Sequence, residues 1–170
     1  MSTGVEKALS EARKKSIFLV TAESLTAGLI ASSFAEIPGA SDVLVAGFVV
    51  YTQQAKTKVL SVGKMLIERF GVVSEPVAKS MASGALLRGA EITGSENCVA
   101  LAVTGIAGPG GGTETVPVGT VCFAISRFLR EKIIYTESET LYFTGDRNEI
   151  RKKTTEHAIA SFLNVLNTDF

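Results

Sequence analysis

Histidine is almost missing from this chain. His157 is the only one in 170 residues, which excludes a histidine-rich metal site. Cysteine is nearly as scarce. Cys98 and Cys122 lie in separate apolar runs without C-x-x-C spacing, so they read as small buried hydrophobes of a reducing compartment. Excess charge of one sign is absent too: 17 Lys plus Arg balance 17 Asp plus Glu. No overall basic field exists to gather nucleic-acid phosphates. No apolar run reaches the about 18–20 residues needed to cross a bilayer, and the stretch from Met1 to Lys15 lacks the apolar centre of a signal peptide. These absences predict a cytoplasmic protein working without metal, cofactor, nucleic acid or membrane.

What is present is apolar. Hydrophobic residues make up 46% of the chain and charged residues 20%, a balance that supplies a generous core for one domain over residues 1–170. Val5 to Lys15 has the pattern of an amphipathic helix, and Ile17 to Val20 that of a strand buried on both faces. Ser24 opens an Ala/Leu/Ile-rich segment that runs to about Glu36, which predicts a sharp turn and a helix carrying Ser24 and Thr26 in its first turn. Val43 to Tyr51 is β-rich, and Thr52 caps a helix over Gln53 to Leu60. A short helix, Lys64 to Phe70, closes at Gly71. Ser74-Glu75-Pro76 opens a longer helix that reaches about Ile92. Asn97 to Val103, Val118 to Ser126 and Lys132 to Phe143 read as strands, the last two joined by a hairpin. Asp146 starts a final helix with Ile150, Thr154, Ala158, Phe162 and Leu166 at helical spacing. The alternation predicts a three-layer α/β/α sandwich with a mixed, mostly parallel sheet of about five strands. Arg147, Arg151, Lys152 and Lys153 cluster, and the last three read as a solvated helix face.

Two features point to chemistry. Thr104 to Thr113 contains five glycines, whose free backbone N–H groups suit a phosphate or an oxyanion. A P-loop would need a lysine at its end, and a dinucleotide fingerprint would open a helix, whereas this loop leads through Val116-Pro117 into a strand. The second feature is Ser24 at its turn, which reads either as a plain helix cap or as a nucleophile. With His157 placed in a helix as a packing or exposed residue, lysine is the remaining candidate base. Lys56 lies five residues after Tyr51, and both follow from the carboxyl edge of the same sheet as Ser24. A surface lysine and a strand-end tyrosine are the plainer reading of that pair.

Five stretches together carry a family resemblance: Thr-Ala-Glu-Ser-Leu-Thr-Ala-Gly (21–28), Val-Val-Tyr-Thr-Gln-Gln-Ala-Lys (49–56), Gly-Val-Val-Ser-Glu (71–75), Thr-Gly-Ile-Ala-Gly-Pro-Gly-Gly-Gly-Thr (104–113) and Phe-Thr-Gly-Asp-Arg (143–147). In order and spacing they resemble the C-terminal domain of the competence/damage-inducible protein CinA, a family that includes stand-alone nicotinamide-nucleotide amidohydrolases. The resemblance implies hydrolysis of the carboxamide of nicotinamide mononucleotide to nicotinic acid mononucleotide and ammonia, in pyridine-nucleotide recycling. It implies a serine/lysine mechanism: Ser24 attacks, Lys56 takes its proton, and Tyr51 holds the lysine or relays the proton to the departing ammonia. Thr104 and the glycine loop, with Gly105, Gly108 and Gly110, would line the substrate site. Arg147 would anchor the 5′-phosphate, the plainer reading being a salt bridge to Glu149. Ser41 matches a family serine near the pocket and is a second catalytic or binding candidate. A homo-oligomer, dimer or larger, is implied as well. The chain departs from the family where Leu25 and Ala27 stand for Cys and Gly, and where Gln53 stands for Asn; the N-terminal domain of full-length CinA is not in this sequence. A non-catalytic nucleotide-binding module, or an amidohydrolase for a different nucleotide, fits the same residues.

Overall fold

The computed structural model describes residues 2–128 and 134–168. Its elements follow one another as α1 (Ser2–Lys14), β1 (Phe18–Glu23), α2 (Leu29–Ala35), a 3-10 turn (Ala40–Asp42), β2 (Leu44–Val49), α3 (Gln53–Leu60), α4 (Lys64–Phe70), α5 (Glu75–Thr93), β3 (Cys98–Gly105), β4 (Thr120–Phe128), β5 (Ile134–Tyr142) and α6 (Arg147–Asn167). Lys132 and Ile133, expected to open the fifth strand, lie outside the described residues. The sheet has the order β2-β1-β3-β4-β5. β1 pairs in parallel with both β2 and β3, and β4 runs antiparallel to β3 and β5. Four strands therefore point the same way and only β4 is reversed, which is the mixed, mostly parallel sheet expected.

Strand alternation sorts the core into two layers. On one face Leu19, Val99, Leu101, Val103, Phe123 and Ile125 meet α1, α2 and α6. There Phe34 and Phe162 pack edge to face with centroids 5.9 Å apart. The other face is built from smaller residues, among them Ala22, Ala100, Ala102 and Ala124, under α5. Small side chains let that helix lie close. A Cβ on Gly84 would sit 2.1 Å from the Leu60 carbonyl oxygen, and one on Gly89 would sit 2.8 Å from Val20 Cγ1. Both cysteines are free and buried, and burial pushes both thiols up from their ordinary range.

Local signals place most of the helices. Thr52 Oγ1 accepts from Ala55 N at 3.1 Å, and Asp146 with Glu149 forms a full capping box at the start of α6. All five periodic positions of α6, from Ile150 to Leu166, are buried. One expected helix start is corrected. Ser24 and Thr26 do not lie in the first turn of a helix; they lie in a turn, and α2 begins at Leu29 with Gly28 as its N-cap. Ala27 and Gly28 take left-handed backbone conformations, φ 53° and 96°, which no right-handed helix accommodates.

Candidate active site

The carboxyl ends of β1, β2 and β3 meet at one edge of the sheet, where α/β folds form their clefts. Ser24 follows β1 directly and is nearly buried, 7% exposed. Its N–H donates to the Val103 carbonyl at 3.1 Å, which ties it to β3. Lys56 comes from the first half of α3. With Leu60, one turn on, it forms the buried stripe of that helix, and none of its surface is exposed. An amine therefore occupies a position that helical periodicity reserves for an apolar side chain.

Lys56 Nζ lies 2.8 Å from Ser24 Oγ. It also donates to the Val50 carbonyl at 2.8 Å and the Tyr51 carbonyl at 3.3 Å. Burial brings the ammonium down to about 8, because removing water penalises the charged form. Once one proton leaves, the two carbonyls hold the remaining N–H groups and the lone pair faces the serine hydroxyl. An amine so placed can accept that hydroxyl's proton.

Other candidate residues gather around this pair. The side chain of Tyr51 is half exposed, and its hydroxyl accepts from Arg147 Nη2 at 2.7 Å. The tyrosine thus touches the lysine through its backbone, while its phenol points to a different partner. Arg147 Nη1 donates to the Gly108 carbonyl at 2.6 Å. The guanidinium bridges the glycine loop and Tyr51, and Glu149 is occupied by the Asp146 N–H at 2.7 Å. Gly105 ends β3, and Gly108 is buried while Gly110 is exposed. Thr104 is buried, and its hydroxyl donates to the Val72 carbonyl at 2.9 Å, fixing the segment between α4 and α5. Ser41 is not brought here. It lies exposed in the 3-10 turn before β2, at the amino end of a strand whose carboxyl end leads to Tyr51. Gln53 lines a concavity of about 560 Å³ with Gln54, Thr57 and Lys64, which Ser24 does not line.

Two further residues shape this site, Glu23 and Arg151. Glu23 is wholly buried. Its Oε2 accepts from the N–H groups of Gly28 at 2.8 Å and Ile30 at 3.1 Å, and its Oε1 from Ala31 N–H at 2.9 Å and the Thr21 hydroxyl at 3.1 Å. Arg151 holds the same turn from the α6 side: Nε donates to the Leu25 carbonyl and Nη2 to the Thr26 carbonyl, both at 3.0 Å. This corrects the reading of Arg151 as part of a solvated helix face. A charged residue ending a strand whose interior is buried is the sequence sign for Glu23. For Arg151, its place beside the buried Ile150 and Thr154 was the only hint.

Ala27 sits exposed in this turn at positive φ. An L side chain there costs roughly 1–2 kcal/mol, part of which glycine loses again through unfolded-state entropy. Ala27→Gly is expected to raise the unfolding free energy by about 0.5–1 kcal/mol. Urea unfolding of the two proteins checks it, and an unchanged or lower midpoint would refute the strain.

Comparison with known proteins places the chain in a family and a fold. The family described as CinA C-terminal domain matches residues 2–166. A CinA-like protein of Mycolicibacterium paratuberculosis is 45% identical over 141 residues, covering 83% of this chain and 31% of that protein. A CinA-like protein of Akkermansia muciniphila is 46% identical over 143 residues, covering 84% and 32%. The chain thus spans about a third of the length of the curated relatives it matches. Among solved structures, the competence/damage inducible protein CihA of Agrobacterium tumefaciens superposes with a TM-score of 0.85 at 38% identity, covering 98% of this chain and 95% of that one. A CinA superfamily protein of Escherichia coli gives 0.82 at 33% identity, covering 96% and 91%.

Proposed function

The chain belongs to the family of the CinA C-terminal domain, and from that premise we propose that it hydrolyses the carboxamide of nicotinamide mononucleotide, giving nicotinic acid mononucleotide and ammonia. The observation that carries the reading is the wholly buried Lys56 amine 2.8 Å from Ser24 Oγ. A lysine buried without function is costly, whereas a lysine shifted toward neutral pH is a usable base.

Neutral Lys56 takes the hydroxyl proton as Ser24 Oγ bonds to the carboxamide carbon, and the carbonyl π pair moves onto its oxygen. The Lys56 ammonium then protonates the amide nitrogen, the C–N bond breaks and ammonia leaves an acyl-serine. Water, deprotonated by Lys56, adds to that ester. The C–Oγ bond breaks, and the proton returns to Ser24. Arg147, exposed at the mouth of the site, offers a guanidinium to the 5′-phosphate. Tyr51 and the Gly108 carbonyl hold that guanidinium beforehand. With Ser24 as nucleophile and Lys56 as base, these steps use no cofactor or metal. The protein acts in the cytoplasm, as a homo-oligomer.

The test is ammonia release by the purified protein from nicotinamide mononucleotide, nicotinamide riboside and free nicotinamide. Turnover of the first, well above the other two, supports the proposal; release from none of them sinks it. The pH dependence follows from Lys56, whose neutral form is the working one. kcat/KM is expected to rise about tenfold per pH unit below a midpoint near 8 and to level off above it. A profile flat between pH 6.5 and 9 would remove Lys56 as the base.

A further inference from the structure

The turn from Ser24 to Gly28 is held by nearly every polar group it has, and the exceptions are informative. The N–H groups of Gly28, Ile30 and Ala31 are taken by Glu23. The Ala27 N–H donates to the Ser24 carbonyl at 3.1 Å and the Leu29 N–H to the Thr26 carbonyl at 3.2 Å. The N–H groups of Leu25 and Thr26 have no protein acceptor among the described residues. Leu25 is 3% exposed and Thr26 fully buried. Thr26 Oγ1, also buried, lacks a partner among the described residues. Buried backbone donors are almost always paired, so two adjacent unpaired ones beside a serine call for an occupant.

Their directions are set. The only cis peptide among the described residues is Gly108–Pro109, so in the Ser24–Leu25 and Leu25–Thr26 peptides the N–H points opposite to its carbonyl. The Ser24 carbonyl is turned inward by the Ala27 N–H, which leaves the Leu25 N–H facing away from the turn's interior. The Leu25 carbonyl is held by Arg151 Nε, which aims the Thr26 N–H the other way. The guanidinium also withdraws charge through that peptide and sharpens its N–H as a donor. Two carbonyls of successive residues match the fork of an arginine, a geometry no lysine reproduces. The end of the short helix α2 offers nothing here, since Glu23 already occupies its amides.

We propose that the backbone N–H groups of Leu25 and Thr26 receive the oxyanion formed when Ser24 attacks an acyl carbon, and that Arg151 is the positioning residue that aims them. The inference rests on Ser24 being the nucleophile, but not on which amide it attacks. As the carbonyl π pair moves onto oxygen, that oxygen gains two fixed donors that cost no reorganisation. Arg151 touches neither substrate nor reacting atom; it acts through the peptide it holds.

A probe independent of the natural substrate tests this. 4-Nitrophenyl acetate acylates an activated serine with release of 4-nitrophenolate, so the pre-steady-state burst reports on Ser24 acylation. Ser24→Ala, Arg151→Met and Arg151→Lys are compared with the unmodified protein, with thermal melting as the check on folding. Arg151→Met is expected to slow acylation by ~100-fold, the scale of losing one oxyanion donor. KM for nicotinamide mononucleotide and the midpoint of the pH profile stay in place, and millimolar methylguanidinium restores part of the rate. Arg151→Lys falls in between. Folded Arg151→Met that acylates at the unmodified rate overturns the proposal. So does a loss that appears in KM or in melting alone and resists methylguanidinium in both arginine variants. A burst lost in Ser24→Ala but accompanied by no ammonia from nicotinamide mononucleotide removes the proposed substrate and leaves the donor pair standing. A burst that survives Ser24→Ala overturns both readings.

Discussion

Ser24→Ala and Lys56→Met are each expected to lower turnover of nicotinamide mononucleotide by ~10⁴-fold or more, the scale on which hydrolases lose activity when a nucleophile or its base is removed. The two residues act in one proton transfer across 2.8 Å, so their effects will not add. The double variant should be about as slow as either single one. Methionine is the informative replacement for lysine because it fills the same buried volume next to Leu60 while removing the amine. Nicotinic acid mononucleotide appearing in single turnovers, with melting to confirm the fold, is the measurement. Near-normal turnover by Ser24→Ala, with loss in Ser41→Ala instead, would move the nucleophile across the sheet to the amino end of β2. The separation between Ser24 and Ser41 makes that comparison clean, since neither substitution disturbs the other's surroundings.

Glu23→Ala should destabilise the protein by about 3–4 kcal/mol, among the larger effects a single substitution produces. The Glu23 carboxyl is wholly buried and receives three backbone N–H groups and one hydroxyl. Alanine leaves those donors without an acceptor and without water, at roughly 1–3 kcal/mol for each group stranded, offset where the turn relaxes toward solvent. Glu23→Gln keeps one acceptor oxygen and should cost about half as much. Because the same bonds hold the turn that begins at Ser24, activity should fall in both variants even where the fold survives. Urea unfolding decides the matter: a loss under about 1 kcal/mol for Glu23→Ala would mean that the turn finds other acceptors. The contrast with Lys56 is instructive. Both are buried charged side chains one residue or one contact from Ser24, yet Glu23 is satisfied by the backbone and holds structure. Lys56 is pushed toward its neutral form and is available for chemistry.

Elements with local signals were legible from the chain alone. Thr52, Gly71, Ser74-Glu75-Pro76 and Asp146 with Glu149 mark helix ends because a cap is a contact between residues within a few positions of one another. Strands β1 and β3, buried on both faces, showed as continuous apolar runs. Helix α2 begins at Leu29, five residues after the start at Ser24 that the sequence predicts, although Leu, Ala and Ile favour a helix throughout that stretch. Glu23 reaches forward to take the amides of Gly28, Ile30 and Ala31, and two left-handed residues follow from that closure. Propensity could not reveal this, since the deciding acceptor lies at the end of the preceding strand.

By itself, then, the sequence determined the α/β alternation, the order of the strands along the chain, the family and the identities of a serine, a lysine, a tyrosine and an arginine worth watching. These rest on periodicity, capping and motif order, all of which are written along one dimension. Only the tertiary structure decided how those residues stand to one another. It placed the amine of Lys56 against Ser24 by burying one stripe of α3, and it turned the Tyr51 phenol toward Arg147 instead of the lysine. It left Ser41 at the other end of the sheet and drew Arg151 from 125 residues away onto the Thr26 carbonyl. Hydrogen-bond direction and desolvation depend on which elements pack together, and parallel strands bring distant segments to a common edge. The arrangement of these side chains is fixed at that edge.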